Sequence, residues 1–271
     1  VELVRSCGVE LFSSANLMQY FEARWSGEQL ASHLAAGQII DEIRRQAFHQ
    51  IGRGIRDNNP STEWRIQQFI NDQFVAHGLF SDHGPNVSVN ANASNPHYEP
   101  QRDSSAAIQS GDTVLIDLWA KLNTETGVYY DITWMGFCGT SPPSALVSIF
   151  GIVREARERA VRKVQEAAAG GTALHGYEVD DAARTYIRDQ GFEAYFFHRT
   201  GHSIGAEIHG AGANMDNLET HDDRRIIPRT CFSIEPGIYL PEFGVRSEVN
   251  VFVDTASARV TGESQDSLVL I

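Results

Sequence analysis

Cysteine is scarce in this 271-residue sequence, which has only Cys7, Cys138 and Cys231. The three are far apart and outside any CxxC pair, which argues against a disulfide framework and against a zinc–thiolate site. This use of cysteine predicts a cytoplasmic protein. The sequence also lacks any apolar run near the ~18–20 residues that cross a bilayer, and its first 16 residues do not resemble a signal peptide, so we expect no membrane contact.

Basic residues are also in short supply. The 22 lysines and arginines are outnumbered by 35 aspartates and glutamates, which gives a formal charge of −13. Such an excess of negative charge disfavours binding to phosphate backbones, and we expect no nucleic-acid partner. The composition is not that of a disordered chain, because 42% of the residues are hydrophobic and only 21% are charged. The first residue is Val1 rather than methionine, so we expect a fragment or a processed product.

Hydrophobic patterns predict helices and strands in a definite order. Helices are predicted after a capping box at Ser26 and Gln29, near residues 59–60, after Pro142 and Pro143, and over residues 179–188. Strands are predicted over residues 113–119 and 129–137 with a turn at 123–127 between them, and short strands are predicted after residue 191. This order favours an α+β domain with an antiparallel sheet.

Two aspartates interrupt the strands of the predicted hairpin. Asp117 lies within the apolar run 114–119, and Asp131 lies between Tyr130 and Ile132. A carboxylate in such surroundings is costly unless a cation or a hydrogen-bond network satisfies it. If the strands pair through the turn, both carboxylates lie on one face, and two like charges at that distance require a cation. The alternative is one structural salt bridge and one turn aspartate.

Three histidines, His198, His202 and His209, fall within twelve residues that also contain two glycines. Imidazole is a common neutral metal ligand and a proton shuttle near neutral pH. Glycine allows the backbone to take tight conformations beside a ligand. This segment is therefore a candidate for metal binding or proton transfer, whereas a lone histidine would more often be a structural residue.

Two glutamates stand at the edges of later apolar strands. Glu235 precedes Pro236, and Glu248 lies two residues after Arg246 and so on the same strand face. Taken alone, Arg246 and Glu248 predict a surface ion pair. A combined set of nitrogen and hard oxygen donors suits a pair of divalent ions of the manganese kind. The members of this set are Asp117, Asp131, His202, Glu235 and Glu248.

These residues and their neighbours resemble the pita-bread metallopeptidases, the superfamily of methionine aminopeptidase, aminopeptidase P and prolidase. The resemblance covers nearly the whole chain and is strongest over residues 95–253. The ligand order Asp, Asp, His, Glu, Glu matches, as do Gly-His-Ser-Ile-Gly at 201–205, Ile-Glu-Pro-Gly at 234–237 and Val-Arg-Ser-Glu at 245–248. The resemblance implies a curved antiparallel sheet covered by helices, with pseudo-twofold halves. It also implies that residues 1–271 form a single catalytic domain without the usual amino-terminal domain.

Further residues resemble the proline-specific branch of this superfamily. His97 lies in Asn-Pro-His-Tyr, His198 and His209 lie four residues before and seven after the ligand histidine, and Arg246 precedes the last glutamate by two. The resemblance implies a peptide substrate with proline at the second position, cleaved by an Xaa-Pro aminopeptidase or dipeptidase, and it favours a homodimer. One departure is Trp119, which stands where a glycine usually follows the first aspartate by two and is predicted to reshape the pocket wall.

The resemblance also implies a role for each site residue. Two divalent ions are expected, manganese first, with cobalt, zinc or iron(II) as alternatives. Asp117 is expected to chelate one ion and His202 the other, with Asp131 and Glu248 bridging. Glu235 is expected to bind the ion beside the histidine and to carry a proton. His97, His198 and His209 are expected to hold the substrate carbonyl and to stabilise the developing oxyanion. Arg246 is expected to orient a ligand carboxylate or the substrate.

Three other functions are open on the same fold. Removal of an N-terminal methionine is one, although Gly210 follows His209 where that branch tends to carry a glutamate. A non-catalytic peptide-binding or scaffold protein is another, since fold does not fix function, but such chains usually lack several metal ligands. Creatine-type amidinohydrolysis is the third, and it does not need the metal set.

Overall fold

The computed structural model describes residues 2–271. Its α-helices are α1 (Glu2–Arg5), α2 (Ala15–Glu22), α3 (Gly27–Arg56), α4 (Glu63–Ala76), α5 (Ser144–Gly170) and α6 (Gly176–Asp189). Its strands are β1 (Leu79–Phe80), β2 (Asn86–Val89), β3 (Thr113–Leu122), β4 (Tyr130–Phe137), β5 (Ser203–Ile204), β6 (Thr230–Ile234), β7 (Gly237–Tyr239), β8 (Gly244–Arg246), β9 (Val249–Val253), β10 (Ala258–Thr261) and β11 (Val269–Leu270). Short 3₁₀ helices span Asn90–Ser94 and Glu193–Tyr195. Among these residues, no helix has the length and apolar character that a membrane span requires.

The predicted capping box begins helix α3. The Ser26 hydroxyl accepts a hydrogen bond from the Gln29 backbone N–H at 3.0 Å, and the Gln29 side chain accepts one from the Ser26 N–H at 2.8 Å. Helix α4 begins later than predicted from residues 59–60. The reason is that Thr62 has an extended backbone, with φ −99° and ψ 161°, and its hydroxyl accepts a hydrogen bond from the Arg65 N–H, which makes Thr62 the cap of the helix.

The two later helices lie close to their predicted positions. Helix α5 follows Pro143 and ends where Gly171 adopts a left-handed φ of 63°, a conformation that suits glycine at a helix end. Helix α6 begins at Gly176, three residues before the predicted start. Its first turn is fixed by Glu178, whose carboxylate accepts a hydrogen bond from the His175 backbone N–H at 2.9 Å.

The strands form two larger sheets and a hairpin in the described part of the chain. The first sheet contains β1, β2, β3, β4 and β11, the second contains β5, β6, β9 and β10, and β7 pairs with β8. All of these pairings are antiparallel within residues 2–271, except that β11 runs parallel to β4. The structure confirms the α+β class and the antiparallel pairing predicted from the sequence.

Each larger sheet has its own pair of helices. Helices α3 and α4 pack on the first sheet around a core that includes Ile40, Ile66 and Ile116. Helices α5 and α6 pack with the second sheet around Val153 and Val251. We call residues 27–137 the first half and residues 144–261 the second half. Repetition of a sheet with two helices agrees with the predicted pseudo-twofold arrangement.

Residues from beyond the first half bond to the edge of β4 that faces away from β3, next to its short pairing with β11. The Asp131 N–H donates to Asn250 Oδ1 at 3.0 Å, and Asn250 Nδ2 donates to the Asp131 carbonyl. Gln265 makes the same pair of bonds with Met135, at 2.9 and 2.7 Å. The Glu248 N–H donates to the Thr133 carbonyl at 3.3 Å. Alternate residues of a strand share one edge, so these bonds continue the hydrogen-bonding pattern of the sheet. We call this set of contacts the seam.

Candidate metal centre

The five predicted metal ligands come from both halves and meet at the seam. Asp117 and Asp131 lie in β3 and β4, whereas the other three lie beside strands of the second half: His202 before β5, Glu235 after β6 and Glu248 between β8 and β9. In the hairpin, Asp117 is opposite Thr133 and Asp131 is opposite Trp119. The aspartates therefore share one face, as the sequence suggests, but they are diagonal neighbours.

Three of these residues form a tight buried cluster. Asp131, His202 and Glu248 each offer a ligand atom, and these atoms all lie within 4.8 Å of one another. His202 Nε2 lies 3.4 Å from Asp131 Oδ2 and 3.4 Å from Glu235 Oε1. The cluster does not include Asp117, which is held next to it by Arg246.

Arg246 is buried at the centre of a hydrogen-bond network and does not form the surface pair that its spacing from Glu248 suggested. Its exposure is 4%. Its guanidinium donates to Asp117 Oδ2, to Thr133 Oγ1 at 3.0 Å and to the Tyr239 hydroxyl at 3.3 Å. The Thr133 hydroxyl in turn donates to Glu248 Oε2 at 2.8 Å. Arg246 and Thr133 thus fix the orientation of a carboxylate on each side of them.

The buried carboxylates have unused acceptor atoms. Glu248 Oε1 and Asp117 Oδ1 are buried and have no hydrogen-bond partner among residues 2–271. Burial raises the pKa of Asp117 to about 7 despite the nearby Arg246. Burial, followed by the charges of Asp131 and Glu235, raises the pKa of Glu248. Such a group of carboxylates is short of positive charge, and its nitrogen and oxygen donors fit divalent cations.

The three other predicted histidines occupy different surroundings. The His198 ring bonds to the Arg199 carbonyl through Nδ1 and to the Tyr239 hydroxyl through Nε2, both at 2.7 Å. Because a carbonyl only accepts, Nδ1 carries the proton and Nε2 accepts from the tyrosine. The His209 ring packs edge-to-face on the His202 ring with 4.5 Å between centroids. His97 is exposed and lies just after a 3₁₀ helix.

Burial governs the charge of two of these rings. Desolvation lowers the pKa of His198 to about 4 and that of His209 to about 4. Both rings are therefore neutral near pH 7, and each carries one N–H, which His198 already donates to the Arg199 carbonyl. Burial also raises the pKa of Tyr239 to about 12, so its hydroxyl keeps its proton.

The sequence analysis missed Tyr239, Thr133 and Asn250. Thr133 could have been found, because it lies two residues after Asp131 and a strand places it on the same face. Tyr239 lies four residues after Glu235 with no local signal for its contacts. Asn250 acts through the seam, which no local pattern predicts.

The centre opens into a cavity of about 430 Å³. Its volume lies within the range of pockets that bind small molecules. Besides the ligands, its lining includes His97, His198, His209, Arg246 and Trp119. The structure therefore brings all nine predicted site residues to one cavity.

Comparison with known proteins identifies the family. The model of metallopeptidase family M24 matches residues 31–255. A Mycoplasma pneumoniae relative that is named as an Xaa-Pro aminopeptidase is 34% identical over 233 residues. These residues cover 83% of this chain and 60% of that protein. The Xaa-Pro dipeptidase of Lactobacillus helveticus is 35% identical over 222 residues, which cover 82% of this chain and 55% of that protein.

Solved structures show the same fold. The Xaa-Pro dipeptidase from Bacillus anthracis is 27% identical, with a TM-score of 0.79 over 96% of this chain and 67% of that chain. Prolidase from Thermococcus sibiricus is 24% identical, with a TM-score of 0.80 over 99% of this chain and 69% of that chain. The chain spans little more than half the length of the two curated relatives. Since the family match covers most of the sequence, the chain belongs to metallopeptidase family M24 and has the pita-bread fold.

Proposed function

We propose that this protein is a metal-dependent exopeptidase that hydrolyses the bond between an N-terminal residue and proline. The observation that carries the proposal is the buried cluster of Asp131, His202 and Glu248, with Asp117 and Glu235 beside it, at the base of a cavity. The names of the Mycoplasma and Lactobacillus relatives support the same specificity.

Two ions are proposed. Asp117 and Asp131 would hold one ion, His202 and Glu235 the other, and Asp131 and Glu248 would serve both. Hard carboxylate oxygens suit manganese, although cobalt, zinc and iron(II) have related preferences. When bound, the two ions supply Lewis acidity and a nucleophile derived from water at neutral pH.

Glu235 is the proposed proton carrier. Its Oε1 accepts a hydrogen bond from Ser233 Oγ at 2.9 Å, which orients the carboxylate. Burial alone would raise its pKa, but His202, His198 and Arg246 outweigh burial and lower it. An ionised Glu235 can take a proton and deliver it to the leaving nitrogen of proline.

The histidines divide between two roles in this proposal. His209, neutral and beside His202, would donate its N–H to the substrate carbonyl, and His97 would approach from the cavity mouth. His198 has both ring nitrogens engaged, so it would act through Tyr239, whose hydroxyl also accepts a bond from Arg246. His198 is therefore a positioning residue in this mechanism.

Residues 1–271 are proposed to form one catalytic unit, because the ligands come from both halves. The free, buried Cys138 and Cys231 support a reducing, cytoplasmic environment. The homodimer stays a prediction, which analytical ultracentrifugation of the purified chain tests.

The test is hydrolysis of Ala-Pro and Ala-Pro-Ala, with Ala-Ala as the control peptide. After removal of metal by chelator, we expect no cleavage, and added Mn²⁺ should restore cleavage before proline only. The ratio of the two rates separates a dipeptidase from an aminopeptidase. Glu235→Gln should lose more than about 100-fold in kcat, whereas Glu242→Gln, at an exposed site, should not. Binding of Mn²⁺ without cleavage of either proline peptide would contradict the proposal.

A further inference from the structure

Trp119 and Asp82 form a wall of the cavity that contains no metal ligand. Trp119 is directly opposite Asp131 in the β3–β4 register, so their Cβ atoms lie about 5 Å apart. The indole N–H donates to Asp82 Oδ1 at 3.3 Å, and Asp82 belongs to the loop between β1 and β2. This hydrogen bond ties the tryptophan ring to a carboxylate next to the metal centre.

The carboxylate of Asp82 lacks a permanent cationic partner. Within residues 2–271, the one basic group in ion-pair range of it is the His83 ring, at 3.2 Å, and that side chain is 70% exposed. The Asp82 side chain is itself 32% exposed and lines the cavity. By contrast, both arginines that line the cavity are paired with a carboxylate. Arg246 pairs with Asp117, and Arg199 pairs with Glu219. Negative charge is therefore available on the tryptophan side of the cavity.

We propose that Asp82 and Trp119 form a subsite for a cationic group on the N-terminal residue of the bound peptide. A carboxylate beside an indole attracts cations through charge and through the negative face of the ring, and tryptophan is the strongest of the aromatic residues in this respect. One peptide residue spans about 3.5 Å, so a group on a residue bound at Asp131 can reach this wall. The inference rests on the proposed function, since it presumes a peptide bound at the metal centre.

The cation has two possible sources, a lysine or arginine side chain and the α-ammonium group. Calorimetric titration of the Mn²⁺-loaded Glu235→Gln protein measures Kd with turnover suppressed, with Lys-Pro, norleucyl-Pro and Glu-Pro as probes, and the variants titrated below are made in this background. Norleucine keeps most of the lysine stem but has no charge. We expect Lys-Pro to bind most tightly and Glu-Pro most weakly. Asp82→Asn should weaken Lys-Pro binding about tenfold, whereas Asp72→Asn, an exposed carboxylate on α4, should leave it unchanged.

The variants assign the source of the cation. If Asp82→Asn loses affinity for Lys-Pro alone, the subsite binds the side chain. If it loses the same affinity for Lys-Pro and norleucyl-Pro, the subsite binds the α-ammonium group. Trp119→Phe keeps an aromatic ring but removes the N–H that holds Asp82. Its loss of peptide affinity should therefore be smaller than that of Asp82→Asn. Unchanged Kd values in Asp82→Asn would overturn the inference.

Kinetics with Mn²⁺ separate this inference from the proposed function. If the wild-type protein cleaves none of the three dipeptides, the proposed function fails, while the Kd comparison still decides the subsite. If it cleaves all three at rates that Asp82→Asn does not change, with Kd values also unchanged, the subsite is wrong and the proposed function stands.

Discussion

The two halves place helices and an antiparallel sheet in similar ways, but they bring different chemistry to the cavity. The first half contributes the carboxylates Asp117 and Asp131 to the ligand set. The second half contributes His202, Glu235 and Glu248, and it also contains Arg246, which orients Asp117 across the boundary. Neither half holds the full donor set, so the geometry of the centre depends on how the halves are held together.

Several specific hydrogen bonds join the halves, in addition to the apolar packing of Leu115 and Met135 against the core of the second half. At the seam, Asn250 of the second half and Gln265, which lies just after that half, bond to the backbone of β4 through their side-chain amides. A second link is His33 of α3, whose ring bonds to the Thr261 hydroxyl in β10 at 2.6 Å and to the Tyr129 carbonyl at 2.7 Å. Because hydrogen bonds weaken steeply with distance and angle, these links set the spacing of the ligands.

The largest stability effect is expected from His33 at low pH. Burial lowers the pKa of His33 to about 4, below its ordinary value of 6.5. Between these pH values only the unfolded chain binds the proton, so the free energy of unfolding falls as pH falls from 6.5 to 4. The contribution of His33 to this loss is about 3 kcal/mol, measured by urea unfolding as the difference between the wild type and His33→Gln across this range.

Two variants sharpen this prediction. His33→Gln should be less stable at pH 7 but should lose less stability on acidification. His49→Gln, on the exposed side of the same helix, should keep the wild-type dependence on pH. Equal slopes in the wild type and His33→Gln would show that His33 does not link the halves in its neutral form.

A smaller effect is expected from Gln265→Leu. This change leaves the N–H and the carbonyl of Met135 without partners inside the protein, which should cost about 2 kcal/mol of unfolding free energy. Because Glu248 bonds to the same edge of β4, Mn²⁺ affinity should also fall. Urea unfolding and calorimetric titration measure the two losses.

The matched control for this variant is Gln101→Leu, whose side chain is exposed. It should change stability by less than about 0.5 kcal/mol and leave Mn²⁺ affinity as in the wild type. If Gln265→Leu lowered stability but left Mn²⁺ affinity intact, the seam would support the fold without positioning the ligands.

Local sequence patterns predicted most helices and the central hairpin. The capping box at Ser26 and the Pro142–Pro143 start both rely on contacts within a few residues, and both predictions are confirmed. Helix α4 begins three residues after Pro60, because Thr62 caps it through its hydroxyl, a contact that the hydrophobic pattern does not report. Pairing of β11 with β4 joins segments more than a hundred residues apart and was likewise not predicted.

The candidate site shows the same limit. Carboxylates within apolar strands are visible in the sequence, and the histidine-rich segment is visible by its spacing. The residues that orient these side chains are not visible in the sequence. Thr133, Tyr239 and Asn250 contact residues on other strands, and their own segments have no motif that marks them as part of the site. The surface pair expected for Arg246 failed for this reason, since its true partner, Asp117, lies 129 residues away.

The most direct test of a single centre shared between the halves is the stoichiometry of Mn²⁺ binding, measured by calorimetric titration of chelator-treated protein. The wild type should bind two ions, and Asp131→Asn from the first half and His202→Ala from the second should each weaken or abolish binding of both. Full retention of one ion in each variant, with wild-type affinity, would show two independent sites and would contradict a shared centre.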